Sequence, residues 1–302
     1  GYDPSLSAGA VAAGGVLGVL IPPSVLLVFY AALTEVSAGK MLIAGFIPGL
    51  LSTVVFIIGI WFIAKSKKRT VALTPRVGWL ERIISIKDAW QVIVLFLIVL
   101  GGIYSGYMTP TEAAAVGAFS AFVMLVFKPN KHGRLKQMFI DSCRSSITTT
   151  VMILFTMIGA GVFSYFLSLA QIPQLLSAFV AGSNVSPTVI VILFLVIYFP
   201  LGMFLDAFSM LVITLPIMFP TIKALGFDPI WFGILAVKMC EIGLITPPVG
   251  LNVYVIAGID RETPLTRIFR GAWWFVIMEV ITIVILFSFP WIVTWLPDSM
   301  MN

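Results

Sequence analysis

Few residues of this chain have side chains suited to chemistry, and the most informative ones belong to a repeated motif. Gly-x-x-x-Pro-Pro occurs at 18–23 and again at 243–248, each time inside an apolar stretch. Proline removes a backbone donor and keeps the residue before it out of the α region, so each copy predicts an unwound helix. Unwound carbonyls can replace water around Na⁺, and the adjoining helix ends offer amides to an anion. The repeat therefore predicts an ion-binding region.

A further break is predicted at 200–209, where Pro200 and Gly202 interrupt an apolar stretch that also holds Asp206. A carboxylate at membrane depth is costly and is therefore a functional candidate, although Asp206 could instead cap the helix that follows it. Nearby hydroxyl groups could bind a ligand or satisfy the helix backbone. We expect coupling cations to contact Gly14, Gly15, Gly18, Pro22, Gly202, Asp206, Gly243, Thr246, Pro247 and Gly250, and substrate to contact Ser24, Asp206, Ser209, Thr246 and Asn252.

Four other ionisable residues lie in or beside apolar stretches. Lys238 and Glu241 are three residues apart, which favours a structural pair on one helix face. Glu112 follows Thr109-Pro110-Thr111 at a helix start, where its carboxylate is expected to act as a cap. Glu279 has no evident partner in its own segment, and a contact with another subunit is the hypothesis for it.

The composition indicates that lipid is the main solvent of this chain. Of its 302 residues, 60% are hydrophobic and 10% are charged, and the mean hydropathy is +1.10. A soluble domain carries about 25% charged residues. Cys143, Cys240 and the only histidine, His132, are unclustered, so neither a disulfide framework nor a transition-metal site is expected, and Na⁺ is the only expected metal. The net charge of +5 needs no nucleic-acid partner.

The distribution of Lys and Arg predicts how the chain threads the membrane. Three basic segments, 65–87, 128–144 and 261–270, are assigned to the cytoplasm. The connections at 105–110 and 170–187, which contain neither Lys nor Arg, would then face outward.

The chain must cross the membrane an odd number of times between the outward connection at 170–187 and the cytoplasmic arginines after residue 260. Two apolar stretches lie between them, and two full crossings would put those arginines outside. The parity is restored if 189–222 is a re-entrant hairpin, whose non-helical tip is buried in protein or lines a cavity. The two Pro-Pro breaks then run in opposite directions, which is an inverted-topology repeat typical of secondary transporters.

The predicted fold is an all-α polytopic membrane protein with an inverted repeat, one re-entrant hairpin and two broken helices. Residues 1–69 are interpreted as the end of the first repeat, 70–88 as a cytoplasmic amphipathic arm, and 89–302 as the second repeat. Segment lengths near the roughly 20 residues needed to cross a bilayer set the boundaries. The predicted elements are a broken helix 8–33, helices 41–64, 89–104, 111–127 and 147–169, the hairpin 189–222, a broken helix 230–259 and a helix 272–296.

Four motifs in this order resemble the large membrane subunit of tripartite ATP-independent periplasmic (TRAP) transporters. They are Gly1–Pro4 with Ala12–Ser24, Gly101–Gly106 with Thr109–Ala115, Gly202–Asp206, and Gly243–Asn252. The resemblance extends over essentially the whole chain. Members of that family have an additional N-terminal portion with a first re-entrant hairpin, so the chain is interpreted as lacking one half of the site.

The resemblance implies Na⁺-driven import of an acidic organic substrate, such as a C4-dicarboxylate or sialic acid, by an elevator-type motion. It also implies a periplasmic substrate-binding protein, a small four-helix membrane subunit that is separate or fused, and a multi-pass location in a bacterial inner (cytoplasmic) membrane. No enzymatic activity is expected.

Three alternatives stay open at this point. A stand-alone Na⁺-coupled di- or tricarboxylate carrier of related fold is the nearest one. An intramembrane aspartyl protease needs two carboxylates that share a proton, and Asp206 has no evident mate. A channel is disfavoured because paired broken helices suit an occluding carrier.

Overall fold

The computed structural model describes residues 3–66, 78, 90–127, 135–172, 174, 175, 178, 182, 185–260 and 262–300. Within these residues the chain forms twelve helices and no strand. The helices are α1 Pro4–Leu20, α2 Val25–Thr34, α3 Ala38–Ser66, α4 Trp90–Tyr104, α5 Pro110–Phe127, α6 Leu135–Leu169, α7 Pro187–Gly202, α8 Ala207–Ala224, α9 Pro229–Gly243, α10 Leu251–Ile259, α11 Leu265–Ser288 and α12 Trp291–Met300.

The chain divides into two compact units. The larger comprises Gly1–Ala72 and Gly159–Asn302, and the smaller comprises Leu73–Ile158. In the smaller unit, α4 and α5 pack against each other. The predicted boundaries of the two repeats and their inverted symmetry stay predictions.

Several helices are long and apolar enough to cross a membrane. Five of those described qualify, namely α3, α5, α6, α8 and α11, and the pair α1 and α2, bent by 43°, adds a sixth if it is one span. The prediction of a multi-pass, all-helical chain is confirmed for the part that the structure describes. The predicted arm at 70–88 lies outside the described residues except for Gly78.

Two predicted helices have different bounds in the structure. The helix predicted at 147–169 begins at Leu135, because 135–146 contains no Pro or Gly and continues the same helix with a more polar surface. The helix predicted at 272–296 is wrong as a single element. It divides into α11 and α12 at Phe289 and Pro290, since proline excludes the α region for Phe289, which has φ −128° and ψ 73°.

Helix α9 is the centre of the larger unit. Every residue from Trp231 to Gly243 is buried, and the helix contacts α3, α7, α8 and α11. Two polar bonds anchor its first turns: Tyr30 Oη donates to the Pro229 carbonyl over 2.7 Å, and Trp231 Nε1 donates to the Leu286 carbonyl over 2.9 Å. The elements that carry the predicted site are therefore built around one buried helix.

Helices α1 and α11 pack backbone to backbone. A Cβ at Gly9 would overlap the Gly271 carbonyl group, and one at Gly271 would overlap the Ser5 carbonyl. Small residues at such crossings are typical of membrane helices, whose association depends on close packing because lipid tails are as apolar as the side chains.

Candidate functional site

The first predicted break is confirmed at Ile21–Ser24, between α1 and α2. The buried Ser24 hydroxyl donates to the Val19 carbonyl and accepts from the Leu27 amide over 3.2 Å, so it caps α2. The Pro22–Pro23 peptide bond is cis. The carbonyls of residues 21, 22 and 23 accept no hydrogen bond from any residue that the structure describes.

The glycines of the first motif do not all belong to this break. Gly14 and Gly15 lie inside regular helix, where carbonyls serve the helical ladder, and Gly18 lies in the last turn. A Cβ at Gly14 or Gly18 would meet nothing within 4 Å. The Gly18 carbonyl nevertheless accepts no hydrogen bond from any residue that the structure describes, because the residue four positions later is Pro22, which has no N–H. Gly18 is therefore the first residue of this segment whose carbonyl is unpaired.

The second predicted break is confirmed at 244–250, between α9 and α10. The buried Thr246 hydroxyl donates to the Ile242 carbonyl over 2.6 Å. Gly250 has φ +50°, a conformation that L side chains rarely adopt, and it starts α10. The Pro247–Pro248 bond is cis. Within the described part of the chain, the carbonyls of residues 245, 246 and 247 are left without a hydrogen bond.

Asp206 lies at the tip of a helical hairpin formed by α7 and α8. Its Oδ1 accepts from the amides of Phe208 (3.0 Å) and Ser209 (3.2 Å), and its Oδ2 accepts from the Ser209 hydroxyl over 2.5 Å. The structure thus shows the capping role of Asp206, and a role toward a ligand stays a prediction. Tyr198 and Thr214 join the two arms through a 2.6 Å hydrogen bond between their hydroxyls.

The hairpin tip lies against both broken helices. A Cβ added to Gly243 at the end of α9 would be 2.6 Å from the Gly202 Cα at the end of α7. On the side of the first broken helix, the rings of Phe29 and Phe208 pack edge to face with centroids 5.0 Å apart. The hairpin is therefore held between α2 and α9.

Asn252 joins the two broken helices to each other. Its Nδ2 donates to the Ala12 carbonyl over 3.3 Å, and a Cβ on Gly15 would lie 3.1 Å from the same nitrogen. Asn252 is in the first turn of α10. Together with the hairpin contacts, this bond brings all three predicted breaks into one region of the larger unit.

A buried ion cluster lies next to the second break and was only partly predicted. Lys238 Nζ is 2.7 Å from Glu241 Oε2 and 2.5 Å from Glu279 Oε2, and all three side chains are fully buried. The predicted pair of Lys238 and Glu241 is confirmed. The hypothesis that Glu279 contacts another subunit is wrong, because its carboxylate faces Lys238 inside the chain. The antiparallel register of α9 and α11, which also joins Trp231 to Leu286, brings the two residues together.

Two turns outside the breaks show local capping. Glu112 accepts from the Thr109 amide and hydroxyl, each over 2.8 Å, which confirms its predicted role at the start of α5. Hydrogen bonding to the Thr263 side chain, and then to the amides of Glu262 and Thr263, holds the pKa of Asp260 below its usual range. Asp260 therefore stays ionised in the turn that leads into α11.

Comparison with known proteins decides the family. The family described as the tripartite ATP-independent periplasmic transporter, DctM component, matches residues 1–292. The chain belongs to the DctM family. The resemblance inferred from the four motifs is thereby confirmed.

Individual DctM relatives carry several substrate names. The C4-dicarboxylate TRAP transporter large permease protein DctM of Pseudomonas aeruginosa is 39% identical over 94% of this chain and 66% of its own length. The sialic acid TRAP transporter large permease protein SiaM of Vibrio cholerae is 31% identical over 98% of this chain and 68% of its own. The isethionate TRAP transporter permease protein DctMQ of Oleidesulfovibrio alaskensis is 34% identical over 86% of this chain and 40% of its own.

The chain thus spans about two thirds of the first two relatives and less than half of the third. All three are transporter permeases and none is an enzyme. The interpretation of this DctM chain as part of a multi-pass transport protein is confirmed.

Proposed function

We propose that this DctM chain forms part of a Na⁺-coupled secondary transporter that imports an acidic organic substrate. The observation that carries the proposal is the packing of three interrupted helical segments, broken at 21–24, 203–206 and 244–250, against one another in one compact unit. Irregular backbone at membrane depth is tolerated only where it is buried in protein or lines a cavity, and in transporters such breaks form the ion and substrate sites.

The coupling ion in this proposal is held by backbone oxygens. Each Pro-Pro break leaves several carbonyls without a hydrogen-bond partner among the described residues, at 18 and 20–23 in the first break and at 245–247 in the second. A carbonyl oxygen without a hydrogen bond is unfavourable in a low-dielectric surrounding. Coordination of Na⁺ by the lone pairs of that oxygen offsets this free-energy cost. The Asp206 carboxylate would add a negative charge at the hairpin tip beside them.

The substrate in this proposal is a small organic anion. Helices α2, α8 and α10 each begin at a break, so their N-terminal amides and positive dipole ends suit an acid group. Three of the five predicted substrate residues, Ser24, Ser209 and Asn252, cap these helices or lie in their first turn. C4-dicarboxylate, sialic acid and isethionate, the substrates named for the relatives, share one feature, a dissociated acid group.

The remaining parts of the proposal concern the setting of this chain. We place the complete transporter in a bacterial inner membrane, with a small four-helix membrane subunit, separate or fused, and a periplasmic binding protein that delivers the substrate. An elevator-type movement of the larger unit would carry the site across the membrane. The name of the DctMQ relative and the membership of the DctM family support this setting.

Transport by the complete protein in proteoliposomes tests the proposal. C4-dicarboxylate, sialic acid and isethionate are supplied one at a time with the cognate binding protein, with or without an inward Na⁺ gradient. We expect uptake of at least one of them only when Na⁺ and the binding protein are both present. Uptake without a binding protein would favour a stand-alone carrier, and uptake indifferent to Na⁺ would remove the cation role of the breaks.

A further inference from the structure

The ion cluster of Lys238, Glu241 and Glu279 offers an inference that rests on the proposed Na⁺ coupling. The cluster contains two carboxylates and one ammonium group, all with 0% exposed side chains. Each carboxylate has its Oε2 beside Lys238 Nζ, but only the contact with Glu241 is also a hydrogen bond. Among the described residues, Glu241 Oε1 and both oxygens of Glu279 have no hydrogen-bond partner, so Glu279 is held by charge alone. Charged side chains inside a membrane protein are expensive and persist where they have a function.

The two ion pairs of Lys238 differ in what they connect. The pair with Glu241 lies within one helix, three residues along α9, and adds nothing to the position of α9 relative to its neighbours. The pair with Glu279 joins α9 to α11. Only the second pair ties two helices together.

The tied part of α9 is the part that precedes the second break. Lys238 is five residues before Gly243, the last residue of α9, and the unpaired carbonyls follow at 245–247. The turn that follows Lys238 carries Cys240, whose Sγ lies 3.9 Å from the Ala207 carbonyl of α8, and Gly243, which touches Gly202. The last two turns of α9 are thus fixed to α11 through Lys238 and to the hairpin tip through Cys240 and Gly243.

We propose that the Lys238–Glu279 ion pair is a positioning device for the cation site. By fixing α9 to α11 one turn before the helix ends, it sets where the backbone unwinds and therefore the spacing between the carbonyls at 245–247 and the hairpin tip at Asp206. The pair resists displacement because rotating or sliding either helix separates the charges and leaves them buried and unpaired, which is costly. Lys238 and Glu279 need not touch the cation.

Two matched substitutions distinguish the proposed positioning role of the Lys238–Glu279 pair from a requirement for any buried carboxylate beside Lys238. Glu279→Gln and Glu241→Gln each remove one carboxylate, and each leaves Lys238 in a neutral pair with the other glutamate. Only Glu279→Gln breaks the tie between α9 and α11. We expect it to raise the half-saturating Na⁺ concentration about fivefold, at the low end of typical coupling between two sites, and Glu241→Gln to change it by less than about twofold.

The measurement uses the complete transporter and two readouts. Na⁺-dependent uptake in proteoliposomes gives the half-saturating Na⁺ concentration for transport. The rise of the melting temperature with Na⁺ in detergent gives the half-saturating Na⁺ concentration for binding, independently of transport. If Glu279→Gln is not recovered from membranes, Glu279→Asp keeps the charge on a shorter side chain and is expected to raise the same concentration. An unchanged value in the recovered variant would overturn the inference.

Three further outcomes would count against the positioning role or the proposed function. Equal increases in Glu279→Gln and Glu241→Gln would overturn the positioning role, because the requirement would then be for charge and not for the tie between helices. A lower melting temperature with an unchanged Na⁺ response in both variants would mean that the cluster stabilises the fold and does not position the cation site. If the wild type itself shows no Na⁺ response, the proposed function fails, which is distinguishable from failure in the variants alone.

Discussion

Gly202 and Gly243 meet through their backbones, so that a Cβ on Gly202 would lie 2.7 Å from the Gly243 Cα and a Cβ on Gly243 would lie 2.6 Å from the Gly202 Cα. Real Cβ atoms do not approach this closely, so either side chain would push the hairpin tip away from the last turn of α9. The contact joins the break that carries Asp206 to the break that carries the unpaired carbonyls. It fixes the geometry of the site without any polar group.

Gly202→Ala and Gly243→Ala should therefore impair transport. Overpacking of this kind costs about 1–3 kcal/mol, and we expect both a lower melting temperature and a loss of most Na⁺-dependent uptake. Gly161→Ala is the matched control, because a Cβ there meets nothing within 4 Å and the residue lies inside helix α6. Normal uptake in both site variants would show that the hairpin tip need not contact α9.

Asp206 can be tested as a cap and as a charge separately. Asp206→Asn keeps a good N-cap for α8 and removes the charge, whereas Asp206→Ala removes both, at about 1 kcal/mol for the cap. We expect the Asn variant to melt near the wild-type temperature and to need more Na⁺ for half-maximal uptake. The Ala variant should show the same Na⁺ defect and a lower melting temperature. Wild-type Na⁺ dependence in Asp206→Asn would leave the residue with a capping role alone.

Asn252 links α10 to α1 by donating a hydrogen bond to a carbonyl. Because Asn252 is the donor, substitutions that remove the donor or replace it with an acceptor should have different effects. Asn252→Ala removes the bond, for which we expect a loss of about 1 kcal/mol and reduced uptake. Asn252→Asp has nearly the same shape but presents an oxygen to the Ala12 carbonyl, so its uptake and melting temperature should fall further than those of the Ala variant. The opposite ranking would argue that Asn252 serves the site through its acceptor oxygen.

Lys238 should be less replaceable than either of its partners. Lys238→Met leaves two buried carboxylates without a positive charge, and breaking a buried pair in this way costs about 3–5 kcal/mol. We expect very little folded protein in membranes, measured as the monodisperse fraction after detergent extraction. Combining Lys238→Met with Glu241→Gln and Glu279→Gln should restore the yield, since no unpaired charge is then buried. Failure of the triple variant to recover would mean that the lysine is needed for more than charge balance.

Much of the architecture could be predicted because it depends on local chemistry. The low share of charged residues requires lipid as solvent, and both Pro-Pro pairs interrupt helices, so both of these breaks were located correctly. Thr109 and Glu112 are close enough along the chain to show their capping arrangement directly. Pro290 was also a local signal, but the apolar run on both sides of it suggested one continuous helix.

The relations between distant residues were decided only by the tertiary structure. The sequence by itself determined that this chain is helical, lies in a membrane and carries three breaks, because these follow from the hydropathy of segments and the geometry of proline. That Asn252 reaches α1, that Gly202 touches Gly243 and that Lys238 pairs with Glu279 depends on which helix faces pack together. An apolar helix in lipid shows little difference between its faces, so its sequence does not state which face meets which neighbour. The contacts between these distant residues, and with them the geometry of the candidate site, follow from how the helices pack.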